Sequence, residues 1–234
     1  MVALAAVVAA AGVGVGVAVA VGSSQGSAES VVLLVPGYGG SQEALSTLAS
    51  RLREAGRDAR VVPLPGDGTG DLNAQARALD DAAAGASSVD VIGYSAGGVV
   101  ARLWVNGAGG SVVRRVVTLG SPLHGTDIAA AGGVLAPGAC PVACQQMSPG
   151  SALLNAANRE PLAVPWMSIW TENDETVVPP TSARLAGAVN VSVQSVCPSA
   201  VVAHSQLPTA PLVVRIVLGA LNGDELTAPP AGCD

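Results

Sequence analysis

Short apolar runs alternate along the chain with longer segments in which apolar residues recur at helical intervals. The first run, VVLLV at residues 31–35, is continuous, which is typical of a strand buried on both faces. In the next segment, residues 41–55, leucines recur three and four residues apart, and Gly56, a favoured C-cap residue, follows it. Strands are predicted at residues 31–35, 59–62, 89–92, 115–119, 166–170 and 189–193. Helices are predicted at residues 41–55, 71–84, 96–105, 151–157 and 208–221.

The alternation of six strands with helices predicts the α/β class, with a doubly wound, mostly parallel six-stranded sheet and helices on both faces. Pro208 is expected in the first turn of the last helix, where proline is favoured. Residues 120–150 are rich in Gly, Pro and Ala; no helix is predicted there, and they are the only candidate cover for a site. In such sheets, sites form at the carboxyl ends of the strands. The residues after each strand are therefore where chemistry is expected.

The two ends of the chain differ in composition from the rest. Residues 1–21 are an uninterrupted apolar run, and residues 22–29 form a Gly/Ser-rich linker. We interpret the run as a signal peptide with a small-x-small site at residues 18–20, although it lacks the usual basic start. A membrane anchor is the alternative, because about 20 apolar residues can cross a bilayer. A folded domain is expected at residues 30–222 and a tail at 223–234, in a protein that is secreted or, alternatively, anchored at the cell surface.

Composition and charge narrow the range of partners. Charged residues make up 12% of the 234 residues, and the formal net charge is −6. Nucleic acids and anionic membranes attract clusters of Lys and Arg, so neither is expected as a partner. No stable protein partner is implied either. A neutral or modestly polar small molecule fits this charge better as a substrate.

The four cysteines favour disulfides, because their number is even and the chain is expected to be exported. Three pairings are conceivable. Cys140 and Cys144 lie four residues apart around Pro141, so a bridge between them is the simplest closure, and it leaves Cys197 to pair with Cys233. A zinc site is the competing interpretation. No second Cys or His pair lies nearby at ligand spacing, so no metal is expected.

The sequence GYSAG at residues 93–97 lies between the predicted strand VDVI and the helix that follows it. A serine in this setting occupies a nucleophile elbow, a tight, strained turn that lifts the Ser95 hydroxyl above the sheet edge. Gly93 and Gly97 are needed because side chains there would collide. The helix N-terminus also favours negative charge that develops near the hydroxyl. Ser95 is therefore the candidate nucleophile; the alternative is a solvated serine in a Gly-rich turn.

A nucleophilic serine needs a base, and the sequence contains only two histidines, His124 and His204. The order nucleophile, acid, histidine is usual where such an elbow is found. His204 follows the last predicted strand and satisfies this order. His124 precedes the acid candidates, so we expect it to line a pocket or to hold its loop by a hydrogen bond. His204 is the predicted base.

The acid is expected after a strand that lies between the serine and the histidine. Asp174 lies four residues beyond Trp170, the end of the fifth predicted strand, where a carboxylate can orient the imidazole and stabilise its charged form. Glu172 and Glu175 are the near alternatives and fit a solvated loop. Asp127 is a further alternative, but it follows the wrong strand. Asp174 is therefore the predicted acid.

An oxyanion hole requires backbone N–H groups aimed at the tetrahedral intermediate. One is expected from Ala96, the residue after the candidate nucleophile, and the other from the loop PGYGG at residues 36–40. Glycines in this loop allow the main chain to approach a substrate closely, with Tyr38 as the predicted donor. The alternative is an ordinary strand-to-helix turn, which would not by itself need three glycines.

Taken together, the motifs resemble those of the small secreted lipases and esterases of actinobacteria, which are related to minimal, lid-poor lipases of the α/β-hydrolase superfamily. The resemblance runs from about residue 31 to residue 220 and rests on VVLLVPGYGG, DVIGYSAGG, VVTLGSPLHGT, CQQMSPGSALL, SIWTENDETVVPP and VQSVCPSAVVAHSQLP. It implies hydrolysis of acylglycerols or simple acyl esters by a triad of Ser95, Asp174 and His204, without a cofactor. Transient contact with a lipid interface is compatible with this activity.

Two other kinds of function remain open at this point. A thioesterase, or an acyltransferase that hands the acyl group to an alcohol, uses the same residues. A non-catalytic binding module on the same fold is the alternative outside enzymes, because a fold alone does not fix a function. Such modules usually have a broken triad, whereas every triad position is filled here.

Overall fold

A parallel six-stranded sheet forms the centre of the structure, a computed structural model that describes residues 30–135 and 137–233. The strands lie in the order β2-β1-β3-β4-β5-β6, and each neighbouring pair is parallel. Their bounds are β1 Val31–Val35, β2 Ala59–Val61, β3 Val89–Tyr94, β4 Val113–Leu119, β5 Trp166–Trp170 and β6 Val189–Ser192. The predicted fold class is thereby confirmed.

Helices connect the strands and cover both faces of the sheet. They are α1 Glu43–Glu54, α2 Leu72–Ala83, α3 Ala96–Asn106, α4 Asp127–Leu135, α5 Val142–Gln146, α6 Ala152–Arg159, α7 Val193–Val196 and α8 Pro211–Asn222. Short 3₁₀ turns occur between them, among them one at His204–Gln206. All carboxyl ends of the strands lie at one edge of the sheet because the strands are parallel.

Two apolar cores lie on opposite faces of the sheet, and β1 shows how the sequence divides between them. Leu33 and Val35 belong to the core with α2 and α3, whereas Val32 and Leu34 belong to the core with α1 and α8. Side chains alternate between the faces of a strand, so a strand that is covered on both sides must be apolar at every position. This is why the continuous VVLLV run predicted a buried strand correctly.

The structure corrects several predicted elements. Residues 120–150 contain α4 and α5, where no helix was predicted. The last helix begins at Pro211 rather than Pro208, because the N–H groups of Thr209 and Ala210 bond to the carbonyl of Gln206 and close a separate turn first. β4 starts two residues earlier than predicted, and β6 ends one residue earlier because residue 193 begins α7.

Two disulfides join the cysteines in the predicted pairs, Cys140–Cys144 and Cys197–Cys233. The second bridge ties the C-terminal tail to the region after α7, where the N–H of Gly232 also donates to the Val196 carbonyl over 2.9 Å. The predicted signal peptide and linker lie outside the described residues. Within the described ranges, every helix is too short or too polar to cross a bilayer.

Candidate active site

Ser95 lies in the turn that joins β3 to α3, with φ +52° and ψ −127°. Among the described residues it is the only one other than glycine with a positive φ. Such a backbone conformation costs about 1–3 kcal/mol and persists only where surrounding contacts enforce it. Here the Ser95 N–H donates to the Leu119 carbonyl over 2.8 Å, and the Ser95 carbonyl accepts from the Gly98 N–H over 3.0 Å. The predicted strand–turn–helix setting of this serine is thus observed.

The glycines around Ser95 are required by close backbone packing. A Cβ atom on Gly97 would lie 2.1 Å from the carbonyl oxygen of Val35, and one on Gly93 would lie 2.5 Å from Cα of Gly98. Both separations are far below a normal carbon contact. The elbow therefore packs directly against the end of β1, and no larger residue fits at either position.

Asp174 and His204 are hydrogen-bonded to each other at the same edge of the sheet. The Nδ1 atom of His204 lies 2.7 Å from Oδ2 of Asp174, and both side chains are buried. Oδ1 of Asp174 accepts the backbone N–H groups of Thr176, over 2.9 Å, and Val177, over 2.8 Å. The carboxylate is thus fixed by its own loop and is aimed at the imidazole. This contact assigns the Nδ1 proton to the bond with Asp174 and leaves Nε2 to face other groups.

Tyr94 joins the elbow to the histidine loop. Its ring centroid lies 5.2 Å from that of His204, and its hydroxyl donates to the His204 carbonyl over 3.4 Å. Burial, together with the negative charge of Asp174, raises the pKa of Tyr94 to about 12. The phenol therefore stays neutral at ordinary pH and keeps its donor proton. Because Tyr94 directly precedes Ser95, this contact brings the loop of His204 beside the elbow.

The alternative acids and the second histidine lie elsewhere. Glu172 and Glu175 are exposed, and the Glu172 carboxylate accepts the hydroxyl of Ser192 over 3.2 Å. Asp127 is exposed at the start of α4. His124 is exposed, and its Nδ1 lies 3.1 Å from the Ser182 carbonyl. Of the predicted residues, the structure brings Asp174 and His204 together, and it places His124 in a loop-holding contact.

The predicted oxyanion loop lies against the elbow. A Cβ atom on Gly37 would lie 2.9 Å from Cβ of Ser95, and Gly40 closes the turn by donating its N–H to the Gly37 carbonyl over 3.1 Å. Tyr38, between them, is half-exposed and borders the same cavity as Ser95. Ala96 is the first residue of α3, where N–H groups have no acceptor within the helix. Both predicted donors therefore flank the serine.

A cavity of about 170 Å³ opens beside Ser95. Its lining is mainly apolar and comes from the loops after β1, β4 and β5 and from α4 and α5. The lining residues are Tyr38, Ser95, Pro122, Thr126, Ile128, Ala129, Cys144, Met147, Thr176 and Val177. A cavity of this kind accepts the hydrocarbon part of a ligand, since it offers few polar partners.

Sequence reasoning missed the residues that hold the loops of the site in place. The Thr126 hydroxyl donates to the Thr176 carbonyl and accepts the Val178 N–H, both over 3.0 Å. The Gln194 amide donates to the Thr171 hydroxyl over 3.2 Å and to the Ala200 carbonyl over 3.0 Å, which joins the acid loop to the histidine loop. These partners are remote in sequence, and no local pattern marks them.

The two disulfides engage all four cysteines of the sequence. In the described part of the chain, no three His, Cys, Asp or Glu side chains lie close enough to hold an ion.

Solved structures of similar fold include several hydrolases. Aspergillus fumigatus lipase B is 20% identical over 88% of this chain, with a TM-score of 0.71. A Bacillus licheniformis lipase in its mature form is 18% identical over 83% of this chain and 93% of its own, with a TM-score of 0.65. An alpha/beta hydrolase from the sediment metagenome of the Mar Chica lagoon, Morocco, is 18% identical over 82% of this chain and 90% of its own, with a TM-score of 0.56.

The fungal lipase is considerably longer, and this chain covers 54% of it. No curated protein sequence matches the chain. Residues 81–213, more than half of the 234 residues, match the model of the family described as Lipase (class 2). This match includes the elbow, the acid loop and the histidine loop. The chain therefore belongs to the class 2 lipase family and has the α/β-hydrolase fold.

Proposed function

We propose that the protein is a carboxylic ester hydrolase that acts on acylglycerols or simple acyl esters through an acyl-enzyme on Ser95. The observation that carries this proposal is the 2.7 Å bond between Asp174 and His204. It lies at the sheet edge that also carries a strained serine and an apolar cavity. Nucleophile, base and orienting acid are the elements that acyl transfer requires.

In the proposed reaction, Ser95 Oγ attacks the ester carbonyl while His204 Nε2 takes the hydroxyl proton. The charged imidazole is stabilised by Asp174, which stays ionised. The N–H groups of Tyr38 and Ala96 bind the oxyanion, and His204 then gives the proton to the departing alcohol. Water next attacks the acyl-enzyme with the same base, which releases the carboxylic acid and restores Ser95. The apolar cavity holds the acyl chain during both steps.

The nucleophile is tested by Ser95→Ala and a fluorophosphonate probe. We expect no covalent labelling and at least about a 1,000-fold loss of p-nitrophenyl ester hydrolysis, because triad members act as a unit. The circular dichroism spectrum should be unchanged. Stoichiometric labelling of the substituted protein would refute the assignment. Product analysis with added alcohol, and a thioester substrate, separate hydrolysis from acyl transfer and from thioesterase activity.

We further propose that the protein is secreted, in the manner of the small actinobacterial lipases that its motifs resemble. Two disulfides support an oxidising, extracellular location. In this proposal residues 1–21 are a signal peptide, residues 22–29 a linker, residues 30–222 the catalytic domain and residues 223–234 a tethered tail. N-terminal sequencing of the exported protein tests it, since a start at Met1 would exclude cleavage.

Contact with a lipid surface is the final part of the proposal. The large apolar side chains that are exposed in the described residues all lie on segments that border the site: Tyr38, Ile128, Val134, Leu135, Val142 and Val201. From residue 128 to residue 158 the chain carries no Asp, Glu, Lys or Arg. This surface therefore suits transient contact with neutral lipid rather than with anionic lipid.

The inactive Ser95→Ala protein allows this contact to be measured without hydrolysis. We expect it to co-sediment with phosphatidylcholine vesicles, and to do so less when Val134→Asp and Leu135→Asp are added. In the active protein, which retains Ser95, the same two substitutions should leave hydrolysis of soluble p-nitrophenyl acetate unaltered. Equal sedimentation of both proteins would contradict the assignment of this surface.

A further inference from the structure

Helix α4 forms one wall of the cavity, yet its own sequence favours a helix only weakly. The helix is DIAAAGGVL, with Gly132 and Gly133 in its interior, and glycine is the weakest helix former after proline. Ala129 is its single buried residue, whereas Ile128, Val134 and Leu135 are exposed. Few of the apolar contacts that normally hold a helix on a domain are therefore made by its side chains.

The Cys140–Cys144 disulfide supplies contacts that the helix lacks. The Sγ atoms of Cys140 and Cys144 lie 4.0 Å and 3.9 Å from the carbonyl oxygen of Ala129. A Cβ atom built on Gly132 would lie 3.5 Å from Sγ of Cys144, and one built on Gly133 would lie 3.9 Å from Sγ of Cys140. The bridge therefore packs along the inner side of α4.

The segment that carries the bridge is fixed to the body of the domain. The N–H of Ala143 donates to the Thr69 carbonyl over 3.1 Å, and Oε1 of Gln146 accepts the N–H of Leu72 over 2.8 Å. Met147, directly after α5, accepts the Thr126 N–H over 2.9 Å. The segment around the bridge is thus anchored by backbone and side-chain hydrogen bonds, and α4 rests on it.

Three residues of this region border the cavity beside the serine. Ala129, Cys144 and Met147 all line it together with Ser95. An acyl chain that extends from Ser95 along this cavity would pack against these three residues. A short acyl group, such as acetyl, would stay near Ser95.

We propose that the Cys140–Cys144 disulfide is a specificity-determining feature that fixes α4 as the wall against which longer acyl chains are bound. The proposal rests on the ester hydrolase function given above. When α4 is fixed in place, each added methylene of the acyl chain is buried against it, which increases the binding affinity about four-fold per methylene. When α4 is mobile, long chains lose part of this affinity, whereas short chains, which do not reach α4, lose none.

The test compares two double substitutions, one for each disulfide. For Cys140→Ala/Cys144→Ala we expect the ratio of kcat/KM on p-nitrophenyl octanoate to kcat/KM on the acetate ester to fall about ten-fold. For the matched control Cys197→Ala/Cys233→Ala we expect both esters to change by the same factor, because this bridge lies outside the cavity lining. Purified folded protein is confirmed by circular dichroism in each case.

A second substitution keeps the bridge and fills the cavity. Ala129→Leu places extra carbons where the chain should lie, so octanoate hydrolysis should fall while acetate hydrolysis persists. This decides the question if the cysteine variant does not fold. The proposal is overturned if octanoate and acetate change in parallel in Cys140→Ala/Cys144→Ala, or if Ala129→Leu leaves octanoate hydrolysis intact. Failure of the proposed function itself is distinct, because the unmodified protein would then hydrolyse neither ester.

Discussion

Each carboxylate oxygen of Asp174 has its own hydrogen-bond partners. One carboxylate oxygen accepts two backbone N–H groups and the other faces His204. These contacts fix the carboxylate in the orientation that faces the imidazole. A neighbouring carboxylate that lacks these donors, such as exposed Glu172, could not replace it without rebuilding the loop.

The two histidines differ in their partners, and a matched pair of substitutions exposes the difference. His204→Ala should inactivate the protein nearly as completely as Ser95→Ala, by at least about 1,000-fold in kcat/KM. His124→Ala should retain substantial activity, because this exposed side chain contacts the carbonyl of Ser182 and not the carboxylate of Asp174. Both are measured with a soluble p-nitrophenyl ester. Selective loss of activity with His124 would reverse the assignment of the base.

Loops after β4 and β5 are joined by hydrogen bonds that bridge long sequence separations. Thr126 bonds to the backbone at Thr176 and Val178, and the N–H of Asp127 donates to the Val178 carbonyl over 2.8 Å. Residues 174–178 therefore run along the start of α4. The carboxylate of Asp174 is positioned by this pairing as well as by its own turn.

Thr126→Val keeps the shape of the side chain and removes both of its hydrogen bonds. Leaving the Val178 N–H and the Thr176 carbonyl without this partner should cost about 1–3 kcal/mol in the free energy of unfolding. We also expect kcat to fall, because the loop that fixes Asp174 loses its support. Urea unfolding and ester hydrolysis measure the two effects.

Thr181→Val, at an exposed position, serves as the control and should change neither the free energy of unfolding nor kcat. An unchanged kcat in Thr126→Val would show that the turn of Asp174 is sufficient alone.

The sequence predicted elements well where a strong periodicity existed. Continuous Val/Leu runs located the strands because a parallel sheet covered on both faces needs them. Helix α4 was missed because Ala and Gly give no contrast between a buried and an exposed face. Its position depends on the disulfide and on Thr126, contacts that only the folded chain brings together. Pro208 and Pro211 are both compatible with a first helical turn, and the bonds to Gln206 decided between them.

At the scale of the whole molecule, the C-terminal region, which comprises α8 and the tail after it, is attached to the rest of the domain at two places. Arg114, which is bound to buried Asp90 over 2.9 Å, donates to the Leu221 carbonyl over 3.2 Å, and Arg115 donates to the Asp224 carbonyl over 3.2 Å beyond the end of α8. The Cys197–Cys233 bridge then fixes the end of the tail. The tail has little apolar surface to bury, so this bridge and the two hydrogen bonds of Gly232, to Val196 and from Arg215, keep it in place.

Loss of the Cys197–Cys233 bridge should lower the free energy of unfolding by about 3–4 kcal/mol, because its two ends are 36 residues apart and closing that loop restricts the unfolded chain. Activity should fall with stability, since Cys197 precedes His204 by seven residues. Loss of the Cys140–Cys144 bridge, which spans four residues, should affect stability much less. Urea titrations of the two alanine pairs measure both effects. A larger loss from the local bridge would contradict this ranking.

The contact between Gly97 and the carbonyl of Val35 has a consequence for how the protein can be altered. It ties Ser95 to β1, so any backbone shift at the elbow must displace the sheet itself. Helix α4, by contrast, lies outside the sheet, beside the cavity and against the Cys140–Cys144 bridge. A directed-evolution library restricted to residues 128–135 should therefore diversify the accepted esters while the bond-breaking step is inherited unchanged.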